Sequence, residues 1–133
     1  MSTPESLAPL LAAIAFDANG LVPAIVQQHD SGEVLMLAWM NRDAVIETLR
    51  TGDACFWSRS RKRLWRKGET SGQTQRVIDL RLDCDNDGLL LLVDQKGVAC
   101  HPGRRSCFFQ AARNGEWQTI APVEIDPKQL YGN

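Results

Sequence analysis

Apolar residues recur along most of the chain in the short runs and alternating patterns that predict β-strands. Residues 78–83 alternate strictly between apolar and polar side chains, which is typical of a strand with one buried face. Residues 89–93 form an unbroken apolar run with the length of a buried strand. Pro23 lies in an earlier apolar run and suggests an edge strand or a bulge there. The predicted strands cover residues 21–28, 33–40, 54–58, 73–83, 88–95, 106–112 and 117–125.

Two short helices accompany these strands. Apolar residues at helical spacing within 6–15 predict an amphipathic helix near the N-terminus. Asn41 is a favourable N-cap for a second helix, and Gly52 marks its end. Asn114 and Gly115 form the strongest two-residue hairpin signal in the chain. We therefore predict an α+β fold that is mainly β, with a compact mixed sheet or pseudo-barrel and two short helices in a single domain over residues 1–133.

Composition and charge narrow the functional classes. The chain has 133 residues, of which 44% are hydrophobic and 23% charged, as in an ordinary globular protein. Its apolar runs are too short to cross a membrane, and its N-terminal segment lacks the basic residues of a secretory signal. We therefore predict a cytoplasmic protein, in which cysteines serve as ligands or buried thiols more often than as disulfides. The formal net charge of −1 argues against nucleic-acid binding by the chain as a whole.

Three cysteines in one segment, Cys84, Cys100 and Cys107, point to a zinc-like metal. Thiolates select soft ions, and three of them leave one position of a tetrahedral zinc open for a catalytic water. A fourth ligand would make the site structural instead, and Cys55 is the remaining cysteine. The bulky neighbours of Cys55 favour a buried thiol. Because the spacing matches no zinc ribbon or finger, the sequence alone leaves the structural alternative open.

Asp83, Asp85 and Asp87 alternate along the same segment. Carboxylates are hard oxygen ligands that suit magnesium or calcium. Together with Gly88 and Asp94, they fit most of an EF-hand calcium loop. An EF-hand loop needs a helix on each side, whereas both flanking segments have the pattern of strands. We therefore predict a turn that carries acidic side chains, and we disfavour a calcium-binding module.

Residues 59–67 contain six cations in nine positions. Arginine binds phosphate through paired hydrogen bonds, and neighbouring hydroxyl and glycine residues can complete a phosphate site. A second basic pair lies between Cys100 and Cys107, beside the predicted metal ligands. Single-stranded nucleic acid or a merely solvated strand are the alternatives. The candidate phosphate-binding residues are Arg59, Arg61, Arg63, Arg66, Lys67, Thr70, Ser71, Arg104 and Arg105.

Four strings together carry a family resemblance, at residues 57–61, 64–72, 83–87 and 100–107. In combination they closely resemble the phosphoribosyl-AMP cyclohydrolases of histidine biosynthesis, with a likeness that runs from about residue 21 to residue 109. The resemblance implies a hydrolase that opens the adenine ring of N1-(5-phosphoribosyl)-AMP at the N1–C6 bond. A metal-activated water would attack, and the product would be the formimino-carboxamide intermediate of the pathway.

The resemblance also implies roles for individual residues. His101 is the candidate general acid/base, and its alternative role is a histidine that merely hydrogen-bonds near the metal. The family further implies an intertwined homodimer whose zinc is shared, with one ligand from one protomer and two from its partner. The implied zinc ligands are Cys84, Cys100 and Cys107, and the implied magnesium ligands are Asp83, Asp85 and Asp87.

Pro102 departs from the threonine expected after the cysteine-histidine pair, which puts any role of that hydroxyl in doubt. Because no pyrophosphohydrolase segment follows Asn133, we expect the single-activity form. The competing enzyme class is a zinc nucleobase deaminase, whose His/Cys-x-Glu and Pro-Cys-x-x-Cys motifs the sequence lacks. A zinc-stabilised nucleic-acid-binding module, with residues 59–67 as its contact strip, is the competitor from a different class. We expect a small phosphorylated substrate, and neither a nucleic-acid nor a membrane partner.

Overall fold

The computed structural model describes residues 4–69, 72–98 and 103–125. Within these ranges the chain forms two helices and eight strands. The helices are α1 (Pro4–Ala13) and α2 (Arg42–Thr51). The strands are β1 (Val22–Gln28), β2 (Val34–Met40), β3 (Cys55–Ser58), β4 (Arg63–Arg66), β5 (Gln75–Leu82), β6 (Leu89–Gln95), β7 (Gln110–Arg113) and β8 (Glu116–Thr119). The predicted α+β, mainly β class is confirmed.

Four strands form an open mixed sheet in the order β2-β1-β6-β5. β1 is antiparallel to β2 and parallel to β6, and β6 is antiparallel to β5. The remaining strands form two hairpins, β3–β4 and β7–β8. Among the described residues, β2 and β5 are therefore the two edges of the larger sheet.

The core lies on one face of this sheet, beneath the two helices and the β3–β4 hairpin. The inward residues of β1 and β6 alternate along each strand, as the period-two pattern predicts. Leu7 and Leu11 place the apolar side of α1 against them, and Phe56 contributes the largest fully buried side chain. The amphipathic N-terminal helix is thus confirmed.

Local sequence signals define α2 at both ends. The Asn41 side chain accepts a hydrogen bond from the Ala44 N–H at 2.8 Å, which satisfies one of the unpaired donors of the first turn. Gly52 has a φ of 82°, a left-handed conformation that glycine adopts without steric cost, and its N–H donates to the Thr48 carbonyl. The Thr48 hydroxyl in turn accepts from the Cys55 N–H at 3.0 Å and joins α2 to β3.

The basic segment contains one strand that is absent from the predicted set, and one expectation about a strand is corrected. Arg63–Arg66 forms β4, in which every residue pairs with β3. Pro23 was expected at an edge or a bulge, yet β1 lies inside the sheet. Proline is tolerated there because pairing with β6 begins only at Ala24, so its missing N–H costs no bond to that strand.

The opposite face of the sheet carries apolar side chains that the single chain leaves exposed. Ile25 of β1 lies opposite Leu37 of β2, and their exposed fractions are 45% and 52%. Leu90 of β6 is the neighbour of Ile25 on its other side. A groove on this face is lined by Pro23, Ile25, Leu37, Leu82, Leu90 and Asp83, among others. The apolar face therefore extends to the first acidic residue of the β5–β6 turn.

None of the helices in the described part of the chain is long and apolar enough to span a bilayer.

Candidate metal and substrate site

The β5–β6 turn holds the predicted metal-binding segment in a tight loop. The Asp83 N–H donates to the Gly88 carbonyl at 2.9 Å, and the Asn86 N–H donates to the Asp83 carbonyl at 2.8 Å. Asn86 adopts a φ of 65°, which asparagine tolerates better than most residues. The Asn86 carbonyl also accepts from the Ala15 N–H at 2.7 Å, so the segment after α1 supports the turn. Strands flank this turn on both sides, as expected, which excludes the EF-hand alternative.

The turn brings three potential ligand atoms together. One carboxylate oxygen each from Asp83 and Asp85 and the sulfur of Cys84 all lie within 4.8 Å of one another. The Asp85 N–H donates to the Asp83 carboxylate at 2.8 Å, which fixes the first acidic side chain. Asp87 follows in the same turn, and all four side chains are exposed. The group combines hard oxygen and soft sulfur donors, so it fits a divalent cation.

Cys107 is anchored elsewhere, on the outer edge of β2. Its N–H donates to the Leu35 carbonyl at 2.6 Å, and the hydroxyl of Ser106 donates to the Val34 carbonyl at 2.7 Å. Leu35 has no partner in β1 between the pairs Val26–Met36 and Gln27–Val34, so it is a bulge residue. The Cys107 side chain is exposed.

Cys84 and Cys107 lie near opposite edges of the four-stranded sheet. Cys84 follows β5 and Cys107 contacts β2, with β6 and β1 between them. Three strand spacings of about 4.8 Å separate the two edges by about 14 Å. Two sulfurs on one zinc lie about 4 Å apart, since each Zn–S bond is about 2.3 Å. Within a single chain, the structure therefore does not bring these two predicted zinc ligands together.

The other predicted site residues of this region lie outside the described residues. They are Cys100, His101, Thr70 and Ser71, and Pro102 lies outside as well.

The basic segment forms the β3–β4 hairpin, and most of its cations already contact other groups. Arg66 binds the Glu47 carboxylate, Arg63 binds Glu69 at 3.3 Å, and the Arg59 guanidinium lies over the Trp39 ring at 4.7 Å. Lys67 is buried. In the described part of the chain the Arg61 side chain makes no ion pair and is exposed.

Glu47 connects this hairpin to α2. Its carboxylate accepts hydrogen bonds from Arg50, at 2.8 and 3.0 Å, and from Arg66. The hydrogen bonds from Arg50, together with the charges of Arg50 and Arg66, hold the pKa of the Glu47 carboxyl below its usual range. An ionised Glu47 thus fixes Arg66 at the rim of a cleft lined by Asp43, Glu47, Cys55 and Glu69.

The second basic pair lies on the chain that leads to Cys107. The Arg104 guanidinium lies 4.3 Å from the centre of the Phe109 ring and donates to the Ala121 carbonyl at 2.9 Å. Arg105 donates to Glu33 at 3.1 Å and to the Gly97 carbonyl at 2.9 Å. These contacts fix the positions of both arginines close in sequence to Cys107, a predicted zinc ligand.

Sequence reasoning missed three buried glutamines, Gln28, Gln75 and Gln95, because glutamine is usually a surface residue. One signal could have found Gln95. It continues the inward series Leu89, Leu91 and Val93 at period two, so the strand pattern places it in the core.

Comparison with known proteins adds to this geometry. The family model for phosphoribosyl-AMP cyclohydrolase matches residues 36–109, a range that includes the basic hairpin, the acidic turn and the segment up to Cys107. The chain belongs to the phosphoribosyl-AMP cyclohydrolase family.

Individual members of the family are similar over almost the whole chain. A phosphoribosyl-AMP cyclohydrolase from Rhodospirillum rubrum is 66% identical over 126 residues, which are 94% of this chain and 88% of the relative. One from Magnetococcus marinus is 62% identical over 124 residues, covering 93% and 96% of the two chains. One from Rhodospirillum centenum is 62% identical over 130 residues, or 98% of each chain. The family predicted from the sequence strings is thereby confirmed.

Cys55 is a buried thiol, as predicted, and not an exposed fourth ligand. It is 1% exposed, and burial raises its pKa. We expect iodoacetamide at pH 8 to alkylate Cys84 of the native, metal-free protein quickly, because the thiolate is the reactive form and Cys84 is exposed. Cys55 should react only after unfolding, since burial keeps it protonated and inaccessible.

Peptide mass spectrometry after timed labelling measures both rates, and labelling in denaturant is the control in which the two thiols should react alike. Native labelling of Cys55 as fast as that of Cys84 would contradict the buried assignment.

Proposed function

We propose that the protein hydrolyses the N1–C6 bond of N1-(5-phosphoribosyl)-AMP in histidine biosynthesis, as a zinc-dependent enzyme that also uses magnesium. The observation that carries this proposal is the identity of 62% over 98% of the chain with a protein named phosphoribosyl-AMP cyclohydrolase. The exposed ligand group of the β5–β6 turn supports it, because a hydrolase of this kind needs ligand atoms that substrate and water can reach.

Three thiols would hold zinc: Cys84 in the acidic turn, and Cys100 and Cys107 in the following segment. When bound, zinc supplies Lewis acidity that lowers the pKa of a coordinated water to about 7. His101 would exchange a proton with the ring nitrogen N1 as the C–N bond breaks, because an imidazole has a pKa near 6.5. Asp83, Asp85 and Asp87 would hold magnesium through hard carboxylate oxygens.

The cations of the β3–β4 hairpin and the pair Arg104 and Arg105 would hold the two phosphate groups of the substrate. Arg61 is the best placed to meet a phosphate directly, since it is exposed and makes no ion pair in the described part of the chain. Arg63, Arg66 and Arg105 already bind carboxylates. Each of these arginines can bind a phosphate in addition to its carboxylate or in place of it. Holding both ends of the substrate would orient its purine ring for attack.

The functional unit we propose is a homodimer with zinc shared between protomers. Cys84 and Cys107 lie near opposite edges of the sheet in one chain, so a site with both needs a second copy. The exposed apolar face that includes Ile25 and Leu37 offers an interface, because burying such side chains stabilises association. The groove on this face reaches Asp83, so a partner seated there would also approach the acidic turn.

The first test measures turnover of N1-(5-phosphoribosyl)-AMP by ultraviolet absorbance and product mass. We expect ring opening with the gain of one water and no ammonia, lost when zinc is removed and restored when zinc is added. Cys84→Ser should lower both zinc content and turnover by more than about tenfold, because one of three soft ligands is removed. Cys55→Ala, which alters a buried thiol, is the control and should retain both.

Release of ammonia would instead identify a deaminase. Full turnover by a Cys84→Ser protein that contains no zinc would eliminate the zinc assignment.

Magnesium is tested separately with Asp85→Asn. We expect the magnesium concentration for half-maximal turnover to rise about tenfold while zinc stays bound, because the variant removes one charged oxygen ligand. Asp79→Asn is the matched control, since Asp79 is exposed on β5, which leads into the turn, and pairs with Arg81 outside it. An unchanged magnesium titration for Asp85→Asn would remove Asp85 from the metal site.

The shared site predicts complementation between inactive variants. Cys84→Ser and Cys107→Ser, unfolded and refolded together, should recover about one quarter of wild-type turnover, because half of the dimers are mixed and each mixed dimer has one intact site of two. The matched control mixes Cys100→Ser with Cys107→Ser, which leaves no intact site in any dimer. Size-exclusion chromatography checks that dimers form. A Cys84→Ser and Cys107→Ser mixture no more active than its components would contradict the shared site.

A further inference from the structure

Three glutamines are buried at one end of the four-stranded sheet. Gln28 ends β1, Gln75 begins β5 and Gln95 ends β6, with exposed fractions of 4%, 0% and 5%. Gln75 and Gln95 are direct partners in the β5–β6 ladder. Burying an amide destabilises a protein unless its hydrogen bonds are made, so three together call for a physical reason.

Gln95 uses every polar atom of its side chain. Its Nε2 group donates to the Gly97 carbonyl at 3.1 Å and to the Arg105 carbonyl at 3.0 Å. Its Oε1 atom accepts from the Nε2 group of Gln75 at 2.8 Å. A flipped amide would place oxygen against two carbonyl oxygens, so the network allows one orientation only.

The two carbonyls that Gln95 joins stand on either side of the segment that contains Cys100 and His101. Gly97 precedes this segment and Arg105 follows it, and Arg105 also donates to the Gly97 carbonyl at 2.9 Å. Next to Gly97, the Val98 N–H donates to the side-chain oxygen of Gln73 at 3.1 Å. The Gln95 amide thus holds Gly97 next to Arg105, two residues before Cys107.

The orientation of the Gln75 side chain leaves one of its own polar atoms without a hydrogen bond among the described residues. Its Nε2 group points to Gln95, and its Oε1 atom is buried without a hydrogen-bond partner among the described residues. Its other close contact is the sulfur of Met36 at 3.4 Å, a weak acceptor. An unsatisfied buried acceptor is destabilising, so its presence indicates that the orientation of Gln75 serves another requirement, the fixing of Gln95.

We propose that Gln95, oriented by Gln75, is a positioning residue for the zinc-binding segment. By joining the carbonyls of Gly97 and Arg105 it sets the separation of these two residues, and so fixes the described chain that leads from Arg105 to the predicted ligand Cys107. This inference rests on the proposed function, because it requires that Cys107 binds zinc.

The test compares zinc affinity among volume-conserving variants of the three buried glutamines. Gln95→Met removes the bonds to Gly97 and Arg105, and Gln75→Met removes the bond that orients Gln95. Gln28→Met is the matched control, since Gln28 is equally buried and bonds to the backbone N–H of Gln95 but not to the zinc-binding segment. Zinc-loaded full-length proteins are titrated with a chromogenic zinc chelator, and urea unfolding is measured in parallel.

We expect Gln95→Met to weaken zinc binding about tenfold or more and Gln75→Met to weaken it less, while Gln28→Met stays within about twofold of wild type. All three should lower the unfolding midpoint, so zinc affinity separates positioning from general stability. Equal zinc affinity in Gln95→Met and Gln28→Met overturns the inference. If Gln95→Met does not fold, Gln75→Met is compared with Gln28→Met instead, and equal zinc affinity in these two variants overturns it. Wild-type protein that binds no zinc overturns the proposed function as well, whereas an active zinc-bound wild type with unaffected variants overturns this inference alone.

Discussion

The parallel pairing of β1 with β6 is the constraint on which the arrangement of the site depends. Parallel neighbours cannot be joined by a tight turn, so the chain between them must cross over. Here the crossover contains β2, α2, the basic hairpin and β5. It places β2 on one side of the central pair and β5 on the other. The acidic turn with Cys84 then follows β5, while Cys107 is hydrogen-bonded to β2. This topology places Cys84 and Cys107 near opposite edges of the sheet.

Local signals predicted the elements whose determinants are local. The cap of Asn41 and the left-handed Gly52 fix α2 within a few residues, and the Asn114-Gly115 turn sits where the hairpin was expected, although its strands are shorter. The acidic turn was also predictable, since alternating strands on both sides specify where the chain reverses. β4 was only one alternative for the basic segment, because its row of cations lacks the apolar alternation of a strand and its pairing depends on β3.

What the sequence did not reveal depends on contacts between distant residues. The order of strands and the position of Cys107 on β2 result from long-range pairing, which no local pattern encodes. The buried glutamines escaped notice because their hydrogen bonds join residues far apart in sequence, such as Gln28 and Gln95. The carboxylate partners of Arg63 and Arg66 could not be assigned either, since several acids were available to each. Candidate ligands could thus be chosen from residue type, whereas their arrangement in space required the fold.

The contact between Cys107 and the bulge in β2 also protects a sheet edge. An edge strand exposes backbone groups that can pair with a strand of another molecule and begin aggregation. In β2, the carbonyls of Val34 and Leu35 are already occupied by the Ser106 hydroxyl and the Cys107 N–H, and the bulge at Leu35 interrupts the regular spacing of the edge. The segment that carries a predicted metal ligand therefore also closes this edge to unwanted strand addition, and losing that contact would endanger solubility as well as the site.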